Sequence, residues 1–305
     1  MKNMLMYYYN FNEIAIIKHY NNTYIKENQN LYIFFKVQNI NEIVEIYNIT
    51  KNMPGFYKFK INKLGDIFTP YNENTYVLLK IEKNNYHYIW FKRPPKIINQ
   101  NQKNYLDRTN WYELWTKKTD YFEYQHMHIN GKYKTIDESI NYYIGMAENA
   151  ISYISYIKGL NNQEENKTIC HRRIGHDCWN PLSCVIDYKE RELSEYLKYI
   201  FINNEYQNIN IKTTIEEFDC TEYGLQCLMG RMLYPSFYFD ICEKIINERE
   251  EESKLVPIIK RSKEYEEYVD KIFTIINKKS KIKNIDWLWL IYISNFFYFR
   301  NFIDY

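Results

Sequence analysis

The chain has 305 residues and 37.7 kDa, with 40 Lys+Arg against 38 Asp+Glu and a formal net charge of +2. That near-balance excludes the strongly basic footprint of a general nucleic-acid binder, and 46% hydrophobic with 26% charged residues excludes wholesale disorder. The length suits one large domain or two modest ones with a full core.

The first strand-like runs, Thr23–Lys26 and Leu31–Val37, are joined by the turn-like Glu27–Asn30 and predict a hairpin. Asn39 then stands as a cap before Ile40, Ile43, Val44, Ile46 and Tyr47, which recur at helical spacing, and Pro54–Gly55 ends that helix. Phe56–Asn62 and Thr75–Glu82 read as strands, with Lys63–Gly65 and Tyr71–Asn74 as turns. A polar, Pro-containing stretch, Lys92–Lys103, serves as connector. Beyond it the chain turns helical over Asn104–His128, then over a helix capped by Asp137 and running to Gly159. A polar loop, Asn161–Lys167, leads to a short β-like piece, Thr168–Asp187, and helices follow at about 190–204, 214–230, 235–250, 258–278 and 284–301. A β-rich lobe over 1–91 and a mostly helical lobe over 92–305 predict a bilobal, protein-kinase-like α+β fold.

The 33 tyrosines are accounted for by AT-rich codon usage, which also enriches Asn, Ile and Lys. The six cysteines, at 170, 178, 184, 220, 227 and 242, form no C-x-x-C pair. Cys170, Cys178 and Cys184 with His171 and His176 match no standard structural zinc spacing, so reduced thiols in a cytosolic compartment are expected. His126 and His128 cannot share a helix face, and Arg191 with Glu195 reads as a surface or inter-helix pair. Met1–Tyr9 lacks the apolar core of a secretory signal. Trp287–Phe302 is too short between its flanking charges for a membrane span and reads as a terminal core helix.

Lys36, in Tyr32-Ile-Phe-Phe-Lys-Val37, precedes the inserted helix, where a kinase-type lobe holds the lysine that grips the α- and β-phosphates. Glu45, with Glu42 one turn away, would be its helix partner. The competing reading is an edge-strand lysine that faces solvent and discourages edge pairing. The phosphate-covering loop is a clear departure. The hairpin Thr23–Val37 has no glycine, and Asn28 or Asn30 in left-handed geometry does not replace several glycines that let backbone N–H groups approach phosphate.

The stretch Lys167-Thr-Ile-Cys-His-Arg-Arg-Ile-Gly-His-Asp-Cys-Trp-Asn-Pro-Leu-Ser-Cys-Val-Ile-Asp187 resembles the catalytic loop of the aminoglycoside phosphotransferase and choline kinase superfamily, H-G-D-x-x-x-x-N followed by a metal-binding Asp. Ile169-Cys170-His171 matches the apolar approach and the loop histidine, a structural position, and Val185-Ile186-Asp187-Tyr188 matches the metal-binding element. Between them Arg173 stands where the resemblance places the catalytic Asp, and Cys178 where it places the Mg²⁺-binding Asn. An Arg has no acceptor lone pair and stays protonated, so it cannot take a proton from an attacking hydroxyl. Asp177 as base and Asn180 beside Asp187 on the metal are the residues that could slide into those roles.

Arg191-Glu-Leu-Ser-Glu-Tyr196 and Gly230-Arg-Met-Leu-Tyr-Pro-Ser-Phe-Tyr-Phe239 resemble helices of the spore-coat branch of this superfamily, the CotS and YutH type, which carries a similarly degenerate loop. Trp111-Tyr-Glu-Leu-Trp115 and Tyr142-Tyr-Ile-Gly-Met-Ala-Glu-Asn149 resemble it too. The resemblance implies a catalytically degenerate kinase-like protein with a structural or interaction role in the spore coat or sporulation, located in the cytoplasm or the coat. Its partners would be other spore-coat or cytosolic proteins, with no nucleic acid and no membrane. No cofactor is assigned. ATP and Mg²⁺ belong to the alternatives, an active phosphotransferase on a small-molecule hydroxyl or a nucleotide-sensing pseudokinase.

Overall fold

The computed structural model describes residues 1–19, 22–82, 105–129, 131–160, 167–175, 177–280, 282 and 285. The connector expected over 92–103, the loop over 161–166, His176 and the terminal helix at 284–301 lie outside the described residues. The chain divides into two compact units, Met1–Thr109 with Asn166–Lys189 and Asn110–Glu165 with Glu190–Tyr305.

In the first unit, helix α1 (Lys2–Tyr9) precedes strands β1 (Ala15–His19), β2 (Asn22–Glu27) and β3 (Asn30–Lys36). Helix α2 (Ile40–Thr50) and strands β4 (Lys58–Phe59), β5 (Phe68–Tyr71) and β6 (Asn74–Ile81) follow. The antiparallel sheet has the order β1-β2-β3-β6-β4, and β5 also pairs with β6. The expected hairpin is β2–β3: Glu27 pairs with Asn30, and Asn28 turns the chain at φ 53°, a left-handed geometry Asn tolerates. Asn39 caps α2 as expected, its side-chain oxygen accepting from Asn41 N and Glu42 N at 3.1 and 3.3 Å.

Three elements of this unit differ from expectation: α1, β1 and β5 are additional. Leu5 and Tyr9 of α1 lie one turn apart and bury against Phe11, Ile25, Tyr32, Phe34 and Leu78. The Tyr9 hydroxyl meets Thr69 Oγ1 at 2.7 Å, and burial pushes its phenol up to about 12 despite that bond. Ile43 and Ile46 of α2 pack instead with Ile67, Val77, Leu106 and Ile186. Ile186 belongs to β8 (Cys184–Tyr188), which pairs antiparallel with β7 (Lys167–His171). Reciprocal backbone bonds, Ile186 N to Leu106 O at 2.9 Å and Arg108 N to Ile186 O at 2.8 Å, hold that late hairpin in the first unit.

The second unit is helical: α3 (Trp111–Ile129), α4 (Lys134–Leu160), α5 (Glu190–Ile202), α6 (Ile211–Glu217), α7 (Glu222–Leu233), α8 (Ser236–Ile246), α9 (Val256–Lys260) and α10 (Ser262–Asn277). Asp137 does not cap α4. The helix starts three residues earlier, and the Asp137 carboxylate accepts instead from Gly131 N at 2.7 Å. The single helix expected at 214–230 is two, because Asp219 takes φ 51° and Thr221 begins a new helix by accepting from Gly224 N at 2.9 Å. Aromatic rings fill the core. Trp115 stacks on Tyr234 at 4.5 Å, Phe122 on Phe239 at 4.6 Å and Tyr143 on Tyr238 at 3.7 Å. Two buried tyrosine hydroxyls find backbone acceptors, Tyr265 on Met232 O at 2.6 Å and Tyr268 on Leu197 O at 3.1 Å. Whatever enriched tyrosine, this core uses it. Among the described residues, no helix is long and apolar enough to cross a membrane.

Candidate functional site

All six residues singled out from the sequence, Lys36, Glu45, His171, Asp177, Asn180 and Asp187, fall within the first unit. β7 ends at His171 and β8 begins at Cys184, its register partner, so the loop between them is tied at its base. Arg172 N donates to Ser183 O at 2.7 Å and extends that tie. His171 is buried among aromatic rings, with Phe56 at 5.9 Å and Trp179 edge-on at 5.6 Å. Gly55 makes the Trp179 contact feasible. At φ +90° it adopts a geometry that suits glycine, and a Cβ there would come within 2.7 Å of the Trp179 ring. The histidine thus packs with both rings.

The two candidate substitutes for the missing loop residues bind each other. Asn180 Nδ2 donates to Asp177 Oδ2 at 2.9 Å, while Asn180 Oδ1 accepts from Leu182 N at 3.0 Å and caps the 3₁₀ turn Pro181–Ser183. Partial desolvation pushes the Asp177 carboxyl upward, and the Asn180 bond opposes it. The side chain is exposed, so water limits the net effect. Asp187 has 0% exposure, and its Oδ1 accepts from Tyr188 N at 2.9 Å. Arg173 turns a guanidinium nitrogen onto Arg172 O at 2.7 Å.

Lys36 and Glu45 are not brought together. Lys36 ends β3 and is exposed, whereas Glu45 Oε2 accepts from Tyr105 N at 2.9 Å. Burial raises the Glu45 carboxyl against that bond. A pair the sequence reading missed stands nearby: Lys167 Nζ meets Asp107 Oδ2 at 2.6 Å, with Thr109 donating to Asp107 Oδ1 through both its N–H and its hydroxyl. Burial pushes the Asp107 carboxyl up, but these bonds outweigh it and hold the group below the usual carboxylate range. Its signal was the Asp-x-Thr spacing of a side-chain turn.

Asn180 makes one bond at each end of its amide, Asp187 offers no accessible surface, and the β2–β3 turn is a tight two-residue Asn–Gln connection without glycine. Among the described residues, no group of three or more His, Cys, Asp or Glu could hold a metal ion.

The profile described as "Spore coat putative kinase YutH" matches residues 2–272. The chain belongs to this family. It is 26% identical over 207 residues to the endospore coat-associated protein YutH of Bacillus subtilis (strain 168), an alignment covering 58% of this chain and 61% of that protein. The match therefore spans less than two thirds of the curated relative. Among solved structures, the aminoglycoside phosphotransferase of Alicyclobacillus acidocaldarius superposes with a TM-score of 0.54 over 91% of this chain and 96% of that one, at 7% identity. At that identity the likeness concerns fold alone. The antiparallel N-terminal sheet followed by a mostly helical region is the aminoglycoside-phosphotransferase, kinase-like fold that the element order predicted.

Proposed function

We propose that this YutH-family chain is a catalytically degenerate kinase-like protein that acts through its surface, in the coat of the spore or in its assembly, with other coat proteins as partners. The observation that carries the reading is the engagement of Asp177 and Asn180 with each other. They are the nearby residues that could replace the missing base and metal ligand, and recruiting them requires breaking their bond and the Asn180 cap. Arg173, at the position of the catalytic Asp, supports the same reading through its chemistry. The chain retains Lys36 and Asp187, the features a nucleotide-binding relative would use, without a partner for Lys36 on α2.

The test is thermal unfolding of the full chain with ATP, with and without Mg²⁺. A ligand at 100 times its Kd stabilises by about 2.7 kcal/mol, a readily measured shift. No metal-dependent shift and no ATP turnover are expected. A metal-dependent shift, with turnover abolished in Asp187→Asn while circular dichroism stays native, would establish a phosphotransferase instead. A shift with ATP but no turnover would make the chain a nucleotide sensor. The coat assignment is checked separately by fractionating spores that carry a tagged copy, and recovery only from vegetative cells would sink it.

A further inference from the structure

His126 lies in the last turn of α3 and Asp137 in the first turn of α4, and neither belongs to the site described above. The fold brings them together across the corner between the two helices. His126 Nδ1 and Asp137 Oδ1 stand 3.3 Å apart, with 22% and 19% of the two side chains exposed. Both atoms are cut off from solvent, and neither is aligned for a full hydrogen bond. A buried carboxylate oxygen without a donor is costly. The other oxygen, Asp137 Oδ2, accepts from Gly131 N at 2.7 Å, and Gly131 turns the corner at φ +82°. One carboxylate thus ties down the turn and faces the imidazole.

The other charges around the corner are already engaged. Lys118 pairs with Glu243, Lys132 with Glu248 at 3.3 Å and Lys134 with Glu138 at 3.7 Å. Glu252 Oε1 accepts from Thr135 N at 2.8 Å and Ile136 N at 3.4 Å, at the end of α4 that favours an anion. On α3 itself Glu123 is exposed, and His128 Nδ1 meets Tyr124 O at 2.7 Å. Among the described residues, Asp137 forms no ion pair with a lysine or arginine. His126 is the neighbour that can supply its cation. A neutral imidazole with its proton on Nδ1 can also donate, but an ionised donor makes a bond about twice as strong.

We infer that the α3–α4 corner is a pH-sensitive clasp, tightened when His126 is protonated and loosened when it is neutral. The sign follows from the pairing. An imidazolium beside a carboxylate stabilises the corner at low pH, and that contribution is lost as pH rises through the range where imidazoles titrate. What loosens is the turn ahead of α4, because the same carboxylate holds Gly131.

Hydrogen exchange at the Gly131 amide of the full chain, corrected for the intrinsic pH dependence of exchange, reads the clasp. Protection at about pH 6 is expected to exceed that at about pH 8 roughly fivefold. Asp137→Asn keeps an oxygen for Gly131 N but removes the charge, and His126→Gln keeps a donor that does not titrate. Both variants should lose the pH dependence while circular dichroism stays native, and His128→Gln should retain it. Equal protection at the two pH values in the unaltered chain overturns the inference, and so does a pH dependence that survives in His126→Gln.

Discussion

Arg231 and Glu195 show what a charged residue costs and contributes inside the second unit. Arg231 Nη2 and Glu195 Oε1 meet at 2.7 Å with 4% and 2% of their side chains exposed. Arg231 Nε donates to Ser194 Oγ at 2.9 Å, and the guanidinium lies 4.9 Å from the Trp111 ring centre. The sequence also pointed to Arg191, at i,i+4 along α5, as a neighbour of Glu195, and it did not reveal Arg231. The spacing rule describes a solvated helix face, and α5 has little of one: Glu190, Arg191, Glu192, Glu195 and Lys198 are all buried. Lys198, for example, spends its ammonium on Tyr234 O at 2.8 Å. Removing one member of a buried pair strands the other charge, so Glu195→Gln and Arg231→Met are each expected to lower stability by about 3–5 kcal/mol. The double replacement Glu195→Leu/Arg231→Met should cost much less than the sum. Urea midpoints of the three variants provide the measurement, and strict additivity would show that the two side chains do not act as a pair.

Elements were legible where local signals were strong. Asn39 ahead of a spaced apolar run located α2, and two β-rich runs around Asn28 located the β2–β3 hairpin. α1 was missed because its eight residues carry no side-chain cap; two buried positions, Leu5 and Tyr9, anchor it through tertiary packing that no local pattern displays. β5 contains Pro70, which discourages a strand assignment, yet it pairs with only β6, where the absent N–H is tolerated. The break between α6 and α7 did have a signal, Thr221 three residues before Gly224, overlooked because the apolar spacing continues across it. In the candidate site, the residue types at 171, 173 and 187 were readable, but the Asp177–Asn180 bond and the Trp179 packing depend on how the loop folds back. The cap offers a direct check. Asn39→Ala should lower stability by about 1 kcal/mol, whereas Asn39→Asp keeps the acceptor and adds a charge suited to a helix N-terminus. Equal loss in both variants would assign the effect to something other than capping.

At the scale of the whole chain, the β-rich part is not a contiguous domain. The late hairpin β7–β8 supplies Ile186 to the cluster around Ile43, Ile46 and Leu106, and Ile169 with Cys184 to the packing around Phe56. It also supplies the backbone partners of Leu106 and Arg108, and Trp179 O accepts from Tyr57 N at 3.0 Å. A polypeptide ending at Thr109 would therefore leave buried side chains and backbone groups open to water. Its core would lose contributions on the order of 1.5–3 kcal/mol per buried aliphatic side chain, comparable in sum to the full stability of a small domain. Residues 1–109 alone are expected to lack a cooperative unfolding transition. The same residues joined by a short Gly/Ser linker to 166–189 should regain one, because a flexible linker adds only a modest closure cost. Dispersed amide proton spectra of the two polypeptides separate the outcomes. A well-folded 1–109 would mean that the hairpin merely rests on a finished core.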